Sequence, residues 1–453
     1  MRIGLIAVLT LALAACVFWS KVSAQSPSQT VSVPIVYTSA PKYEATAWLH
    51  GRERFPAGAT VTLKQSESSH ALVSGFSATA DPSVSFDGTR IIFAGKRDAE
   101  SQWQVWETSV DGRELRQVTT CSADCVRPFY LPGERVVYAR RISNRFVLET
   151  APLTGGAPLP LTYAPGSALP TDVLRDGRIL FEAGYPLGNG SSSEIYTVYS
   201  DGSGVEAYRC DHGSNREAGK QVASGDIVFS QEHGLGRFNS AVAHQLDLNA
   251  PVGEFAGDIA QIPTGDHLVA WRPDSKSQYS LRLWNLRTGG FESFVADANT
   301  NAVQPSVVAS RPVPNLHPSG LHDWNYANLL CLNSYTSKYR FADGSIKSIR
   351  LYTANESGKP RLLGGSNVEP DGSFYLRVPA DQPLQIELLD GSGKTLKREQ
   401  GWFWMRRGEQ RICVGCHAGP ERAPENRVPA VLVKTTVPID LTHSNGKPLQ
   451  GGR

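Results

Sequence analysis

The run DPSVSFDGTRIIFAGKRDAESQWQVWETSVDGRELRQVT, from Asp81 to Thr119, decides the fold. An Asp-Gly turn (Asp87-Gly88) leads into a short apolar strand, Ile91-Ile92-Phe93, and two alternating strands then flank a second such turn at Asp111-Gly112. Asp and Gly tolerate the positive φ of tight turns, so the run reads as successive hairpins with a period-two alternation of side chains. The unit returns along the chain. Its apolar tripeptide recurs as Ile35-Val36-Tyr37, Val136-Val137-Tyr138, Ile179-Leu180-Phe181, Ile227-Val228-Phe229 and Leu268-Val269-Ala270, about 45 residues apart. EIYTVYSDGSGVEAY and SLRLWNLRTGGFESFV repeat the hairpin that follows it. Four strands in about 45 residues is the period of a propeller blade. Six units between residues 30 and 312 therefore predict an N-terminal six-bladed β-propeller, and the blades look like those of TolB-type propellers.

A chain of 453 residues exceeds what one hydrophobic core organises, so further domains are expected. The 42 Gly and 29 Pro favour turns and strands over long helices, giving an all-β reading. A net charge of +2 without a basic face argues against a nucleic-acid partner. At the N-terminus, one Arg precedes an apolar stretch from Ile3 to Trp19, and Val22-Ser23-Ala24 offers a small-residue cleavage site. Residues 1–24 thus read as a signal peptide, and the mature protein as periplasmic or otherwise extracytoplasmic. Leu13-Ala14-Ala15-Cys16 also fits a lipoprotein box, so a soluble form and a form lipid-anchored at Cys16 stand side by side. Cys121 and Cys125 are read as small buried strand residues in preference to a local disulfide. Cys210 and Cys331 have no partner that spacing reveals.

Residues 313–324 lie in a stretch rich in Pro and His and read as a connector. Beyond it, SIKSIRLYTA, GSFYLRVPA and LQIELLDGSGKTLKR alternate as half-buried strands separated by Asp-Gly turns. Residues 325–453 are accordingly assigned to a small antiparallel β-sandwich domain.

Near the end of that domain, Cys413-Val414-Gly415-Cys416-His417 fits the c-type haem attachment signature. In that chemistry two thiols bond to the haem vinyl groups and the adjacent histidine binds iron. With 7 Cys and 10 His in the chain, roughly 0.002 such motifs are expected by accident. A thioredoxin-like redox pair would need a βαβ context, and a zinc site a second Cys/His pair at suitable spacing; neither is present. One covalent haem c per chain is therefore expected, anchored by Cys413 and Cys416 with His417 on the iron. Trp404 in Trp402-Phe403-Trp404-Met405 is a candidate to cover the porphyrin, and Arg406, Arg407 and Arg411 are candidates to pair with its propionates. For the remaining iron position the candidates are Met405, His443, His317, His322 or no side chain.

VEPDGSFYLRVPADQPLQIELLDGSGKTLKREQGWFWMRRGEQRICVGCHAGPE, from Val368 to Glu421, resembles the haem-bearing middle domain of the hydrazine synthase alpha subunit family. The resemblance is carried by Asp371-Gly372-Ser373-Phe374, Val378-Pro379-Ala380, Leu388-Leu389-Asp390, Arg407-Gly408-Glu409 and the haem motif. It implies a six-bladed propeller ahead of this domain, thioether anchors at Cys413 and Cys416, and an iron ligand at His417. Two departures bear on activity. The synthase subunit adds a C-terminal domain with a second haem, whereas this sequence stops at Arg453, and Glu421 stands where the synthase has an iron-ligating tyrosine. The resemblance thus implies architecture and haem attachment rather than hydrazine synthesis. Three functional readings remain open: electron transfer with a redox partner protein docked on the propeller, an oxidoreductase acting on a small nitrogenous or inorganic ligand at an open iron, and a binding scaffold with a structural haem.

Overall fold

The computed structural model describes residues 33–185, 187–188, 192–209, 215–231, 234–240, 244–355, 358–416 and 426–443. The signal-peptide and Cys16 readings, Cys210 and His417 lie outside these residues. Among them the chain is almost entirely strand; its one α-helix, Ala430–Lys434, has five residues.

Residues 35–307 build six four-stranded antiparallel sheets, arranged as a β-propeller. The recurring apolar tripeptides all fall on the second strand of a sheet: Arg90–Lys96, Arg135–Ile142, Ile179–Tyr185, Ile227–Gln231, His267–Arg272 and Ile35–Ala40. For all of these but Ile35–Ala40, the turn before the strand closes a hairpin with the innermost strand. Gly88 illustrates why glycine is needed there: its φ is 77°, and a Cβ would meet the Ala309 backbone at 2.7 Å. Ile35–Ala40 pairs on one side with Thr60–Gln65 and on the other with Asn301–Val307, so the last strand completes the first sheet. Successive innermost strands pack against one another, and Asn301–Val307 packs against Ala78–Val84, which closes the ring.

The innermost strands share a bulge. Asp81, Arg127, Ala218 and Gln304 sit there at φ between 51° and 57°, a region non-glycine residues seldom occupy. A buried polar hub fixes three of these bulges. The Arg127 guanidinium donates to both carboxylate oxygens of Asp258, at 2.7 and 2.9 Å, and the Arg127 N–H donates to Asp81 at 3.1 Å. The Gln304 amide also donates to Asp81, and Thr38 donates to Gln304 at 2.8 Å. Burial alone would raise the Asp258 pKa, but Arg127 outweighs it and holds the carboxyl below its ordinary range. For Asp81 burial prevails, and its pKa is raised.

Cys121 and Cys125 form a disulfide, which corrects the reading of them as two unbonded buried residues. The four-residue separation brings their Cα atoms to 6.4 Å, within the span a disulfide bridges.

The second domain is a sandwich of two four-stranded sheets. One runs Gln410–Cys413, Tyr326–Cys331, Phe374–Pro379, Ile439–Asp440; the other runs Pro360–Asn367, Ser348–Ala354, Leu384–Leu389, Thr395–Arg398. Ile349 and Leu351 from one sheet and Phe374, Leu376 and Val378 from the other alternate inward and form the core. The two edge strands of the first sheet pair in parallel with their neighbours, a departure from the wholly antiparallel sandwich expected.

The run 402–406 joins the two domains by the same alternation. Trp402 and Trp404 belong to the propeller core, Met405 to the sandwich core, and Phe403 packs on both. The Trp404 indole N–H donates to the Gly202 carbonyl at 3.0 Å, and the Trp402 N–H to that of Leu187 at 2.8 Å. Arg406 donates to the Pro160 carbonyl at 3.1 Å and pairs with Asp381 at 3.2 Å.

Removing the Arg127 charge leaves two buried carboxylates without their cation. Arg127→Met is expected to lower stability by about 3–5 kcal/mol in urea or thermal unfolding. A loss below about 1 kcal/mol would show that the hub does not hold the ring.

Candidate functional site

The haem motif enters the fold as an edge strand. Gln410–Cys413 lies parallel to Tyr326–Cys331 in the register Asn328↔Gln410, Leu329↔Arg411, Leu330↔Ile412, Cys331↔Cys413. Side chains of paired residues share a face. Leu329, Cys331, Arg411 and Cys413 therefore turn inward onto one cavity, and Ile412 is 64% exposed on the other face. The Leu332 N–H donates to the Cys413 carbonyl at 2.9 Å and ties down the end of the strand. Gly415 then passes so close to the turn after Cys331 that a Cβ would meet the Thr336 carbonyl oxygen at 2.0 Å. Only glycine permits this approach, which returns Cys416 to the cavity wall.

The cavity measures about 160 Å³ and lies between the two sheets. Leu329 and Phe374 wall it from one sheet, Ile386 and Leu388 from the other, and Phe403 from the segment that joins the domains. Lys397, Glu399 and Arg411 are its charged lining residues, and the sulfurs of Cys331, Cys413 and Cys416 complete it. Arg411 is fixed by Glu409, with Nε to Oε1 at 2.9 Å. Glu409 in turn accepts from the Arg406 N–H at 2.8 Å and from the propeller N–H of Gly204 at 3.3 Å. The Lys397 ammonium lies 4.1 Å from the Tyr339 ring centroid.

All three cysteines are free thiols. Burial pushes the Cys413 pKa up to about 11. The Cys416 side chain first, and burial second, push the Cys331 pKa well above the ordinary range. Among the described residues no group of three or more His, Cys, Asp or Glu is arranged to hold a metal ion.

Of the residues singled out in the sequence, Cys413, Cys416 and Arg411 meet at the cavity. The others among the described residues do not line it. Trp404 is buried in the propeller core, and Arg406 is held between Pro160 and Asp381. Arg407 pairs with Asp381 at 3.1 Å on the surface, and Met405 is buried in the sandwich core. The reason is the alternation across the run 402–406, which gives the cavity only Phe403. His443 is exposed and follows Ile439–Asp440, the strand at the sheet edge opposite the motif. His317 stacks on Tyr199 at 3.8 Å and His322 on Trp324 at 4.6 Å. The sequence reading missed Cys331, Lys397 and Phe403 as cavity residues. Local pattern gives no sign that strands 80 residues apart lie side by side in parallel.

Comparison with known proteins follows this geometry. Residues 336–418 match the family model of the hydrazine synthase alpha subunit middle domain, the region that carries most of the cavity wall. That stretch is thus similar to the middle domain of the hydrazine synthase alpha subunit. The hydrazine synthase subunit alpha of Kuenenia stuttgartiensis is 21% identical over an alignment covering 78% of this chain, which spans 61% of that relative's length. A structure of Kuenenia stuttgartiensis hydrazine synthase superposes with a TM-score of 0.77 at 17% identity, covering 89% of this chain and 72% of that one. TolB from Acinetobacter baumannii aligns at a TM-score of 0.48 and 13% identity, covering 62% of this chain and 67% of that one.

With its pKa near 11, Cys413 keeps its proton at neutral pH in the folded, haem-free chain. Stability tied to that proton is present below about pH 9 and is lost as pH rises toward about 11. Iodoacetamide at pH 8 is expected to modify Cys413 about a hundredfold more slowly in the folded chain than in urea. Equal rates would show that the thiol is not buried as described.

Proposed function

We propose that this chain is an exported c-type mono-haem protein, with haem bonded through Cys413 and Cys416 in the cavity between the sandwich sheets. The observation that carries the reading is the meeting of these two thiols on one wall of a mainly apolar cavity, with Arg411 and Lys397 also lining it. These residues fit the group. Leu329, Phe374, Ile386, Leu388 and Phe403 offer apolar surface, the two thiols offer covalent anchorage, and the cations suit propionates. His417 would serve as an iron ligand, because it directly follows Cys416 in the attachment signature. When bound, haem supplies a one-electron couple.

The protein's own part is to exclude water, fix orientation and set the local charge. Arg411, held by Glu409, would favour the more electron-rich state of the site, so Arg411→Gln should lower the reduction potential. Export is supported by the signal-like N-terminus and by the Cys121–Cys125 disulfide, since such bonds persist in oxidising compartments. Electron transfer with a partner docked on the propeller is the first reading of function.

A second reading is favoured by one observation: among the described residues, the cavity wall contains no Met or His. An open iron position would let a small nitrogenous or inorganic ligand bind. Carbon monoxide added to the reduced protein separates the two. An unchanged low-spin spectrum supports electron transfer; a shifted spectrum supports ligand chemistry. Cys413→Ala with Cys416→Ala should abolish covalent haem, and retention of covalent haem in that variant would contradict the site.

A further inference from the structure

The chain leaving the propeller crosses the mouth of its channel. After Asn301–Val307, the Arg311 N–H donates to the Phe86 carbonyl at 2.8 Å and the Asn315 N–H to the Arg175 carbonyl at 2.8 Å. Phe86 and Arg175 sit in turns of two sheets that have the sheet of Cys125–Leu131 between them, so residues 311–315 run as a chord across the ring. Gly177 admits this strap: its φ is 87°, and a Cβ would meet the Asn315 carbonyl oxygen at 2.2 Å. Under the strap lies a cavity of about 280 Å³, walled by Ser83, Asp172, Lys220, Ile259 and Pro305 from five of the six innermost strands. Pro312 and Pro314 roof it, and it shares no residue with the cavity in the sandwich.

The charge lining this cavity does not balance. Lys220, Arg175 and Arg311 face a single carboxylate, Asp172. That carboxylate is already engaged, accepting from the Lys220 ammonium at 3.4 Å and from the Gln221 N–H at 2.8 Å. Among the described residues the two guanidinium groups have only carbonyl acceptors: Val222 and Ala223 for Arg175, Val84 and Ser85 for Arg311. Carbonyls fix a guanidinium without neutralising it, and each group keeps N–H donors to spare. Such donors suit carboxylate or phosphate oxygens. Val173, Ile259, Pro305 and Pro312 add apolar wall that a carbon skeleton can cover. The volume lies just under the roughly 300–1,000 Å³ of sites for larger organic ligands, so the fitting ligand is small. We propose that this axial cavity binds a small organic dianion, its carboxylate or phosphate oxygens held by Arg175 and Arg311 and its carbon skeleton by the apolar wall.

The full chain is titrated by calorimetry at low ionic strength with succinate, with glycerol 3-phosphate, and with succinamide, the uncharged counterpart of succinate. Saturable binding of at least one dianion is expected, and none of succinamide. Binding of succinate alone or of the phosphate ester alone identifies the oxyanion; binding of both shows that the site reads charge. Arg175→Gln and Arg311→Gln should each weaken the interaction at least about tenfold, the effect of losing one charge-assisted hydrogen bond. Phenylglyoxal labelling of the unaltered chain, mapped by mass spectrometry, serves where a substitution disturbs folding. A bound dianion should slow modification of Arg175 and Arg311 and leave that of the exposed Arg113 unchanged. No saturable binding of either dianion, equal binding of succinamide, undiminished binding by both folded variants, or labelling unaffected by dianion would each overturn the proposal.

Discussion

The parallel pairing of Gln410–Cys413 with Tyr326–Cys331 is the constraint on which the site depends. Without it the haem motif would be a surface segment with exposed sulfurs. In that register Arg411 and Cys413 face inward beside Leu329 and Cys331, and the edge of the sandwich becomes one wall of a cavity. Gly415 extends the effect by one turn. Its missing side chain lets the backbone press against the 333–336 turn and returns Cys416 to the same wall. A motif whose chemistry requires two sulfurs on one turn thus gains a third sulfur, from a strand about 80 residues earlier.

The site is also tied to the propeller. Alternation along an extended segment splits Trp402, Phe403, Trp404 and Met405 between the two cores, so the domains are joined by ordinary apolar packing. Glu409 links the cavity cation Arg411 to the backbone of Gly204 in the propeller. Movement of one domain against the other would therefore disturb the charge beside the cavity. At the propeller axis, the paired Arg127 and Asp258 hold together bulges from different sheets in a conformation the backbone disfavours.

Much of the fold was legible because it is local. The apolar tripeptides mark the second strand of every propeller sheet, glycine-containing turns precede five of them, and the motif cysteines mark the site. Partners distant in sequence were not legible. Closure of the first sheet by Asn301–Val307 joins segments some 260 residues apart, and no periodicity announces it. Cys331 reads as one more small residue in an apolar strand until the parallel neighbour is known. Arg406, Arg407 and Trp404 were assigned to the haem by nearness in sequence, but in an extended chain adjacent side chains point to opposite sides. The Cys121–Cys125 bond shows the limit of local reading, because spacing permits a disulfide without requiring one.

The central claim is that Cys413 and Cys416 anchor a haem covalently within the sandwich. Its most direct test is peptide mapping of protein produced in a host that exports the chain and attaches haem, after acid–solvent extraction of all haem not covalently bound. The account predicts that haem absorbance stays with the chain and travels with the peptide containing Cys413 and Cys416. A colourless chain after extraction, or haem on a different peptide, would contradict it.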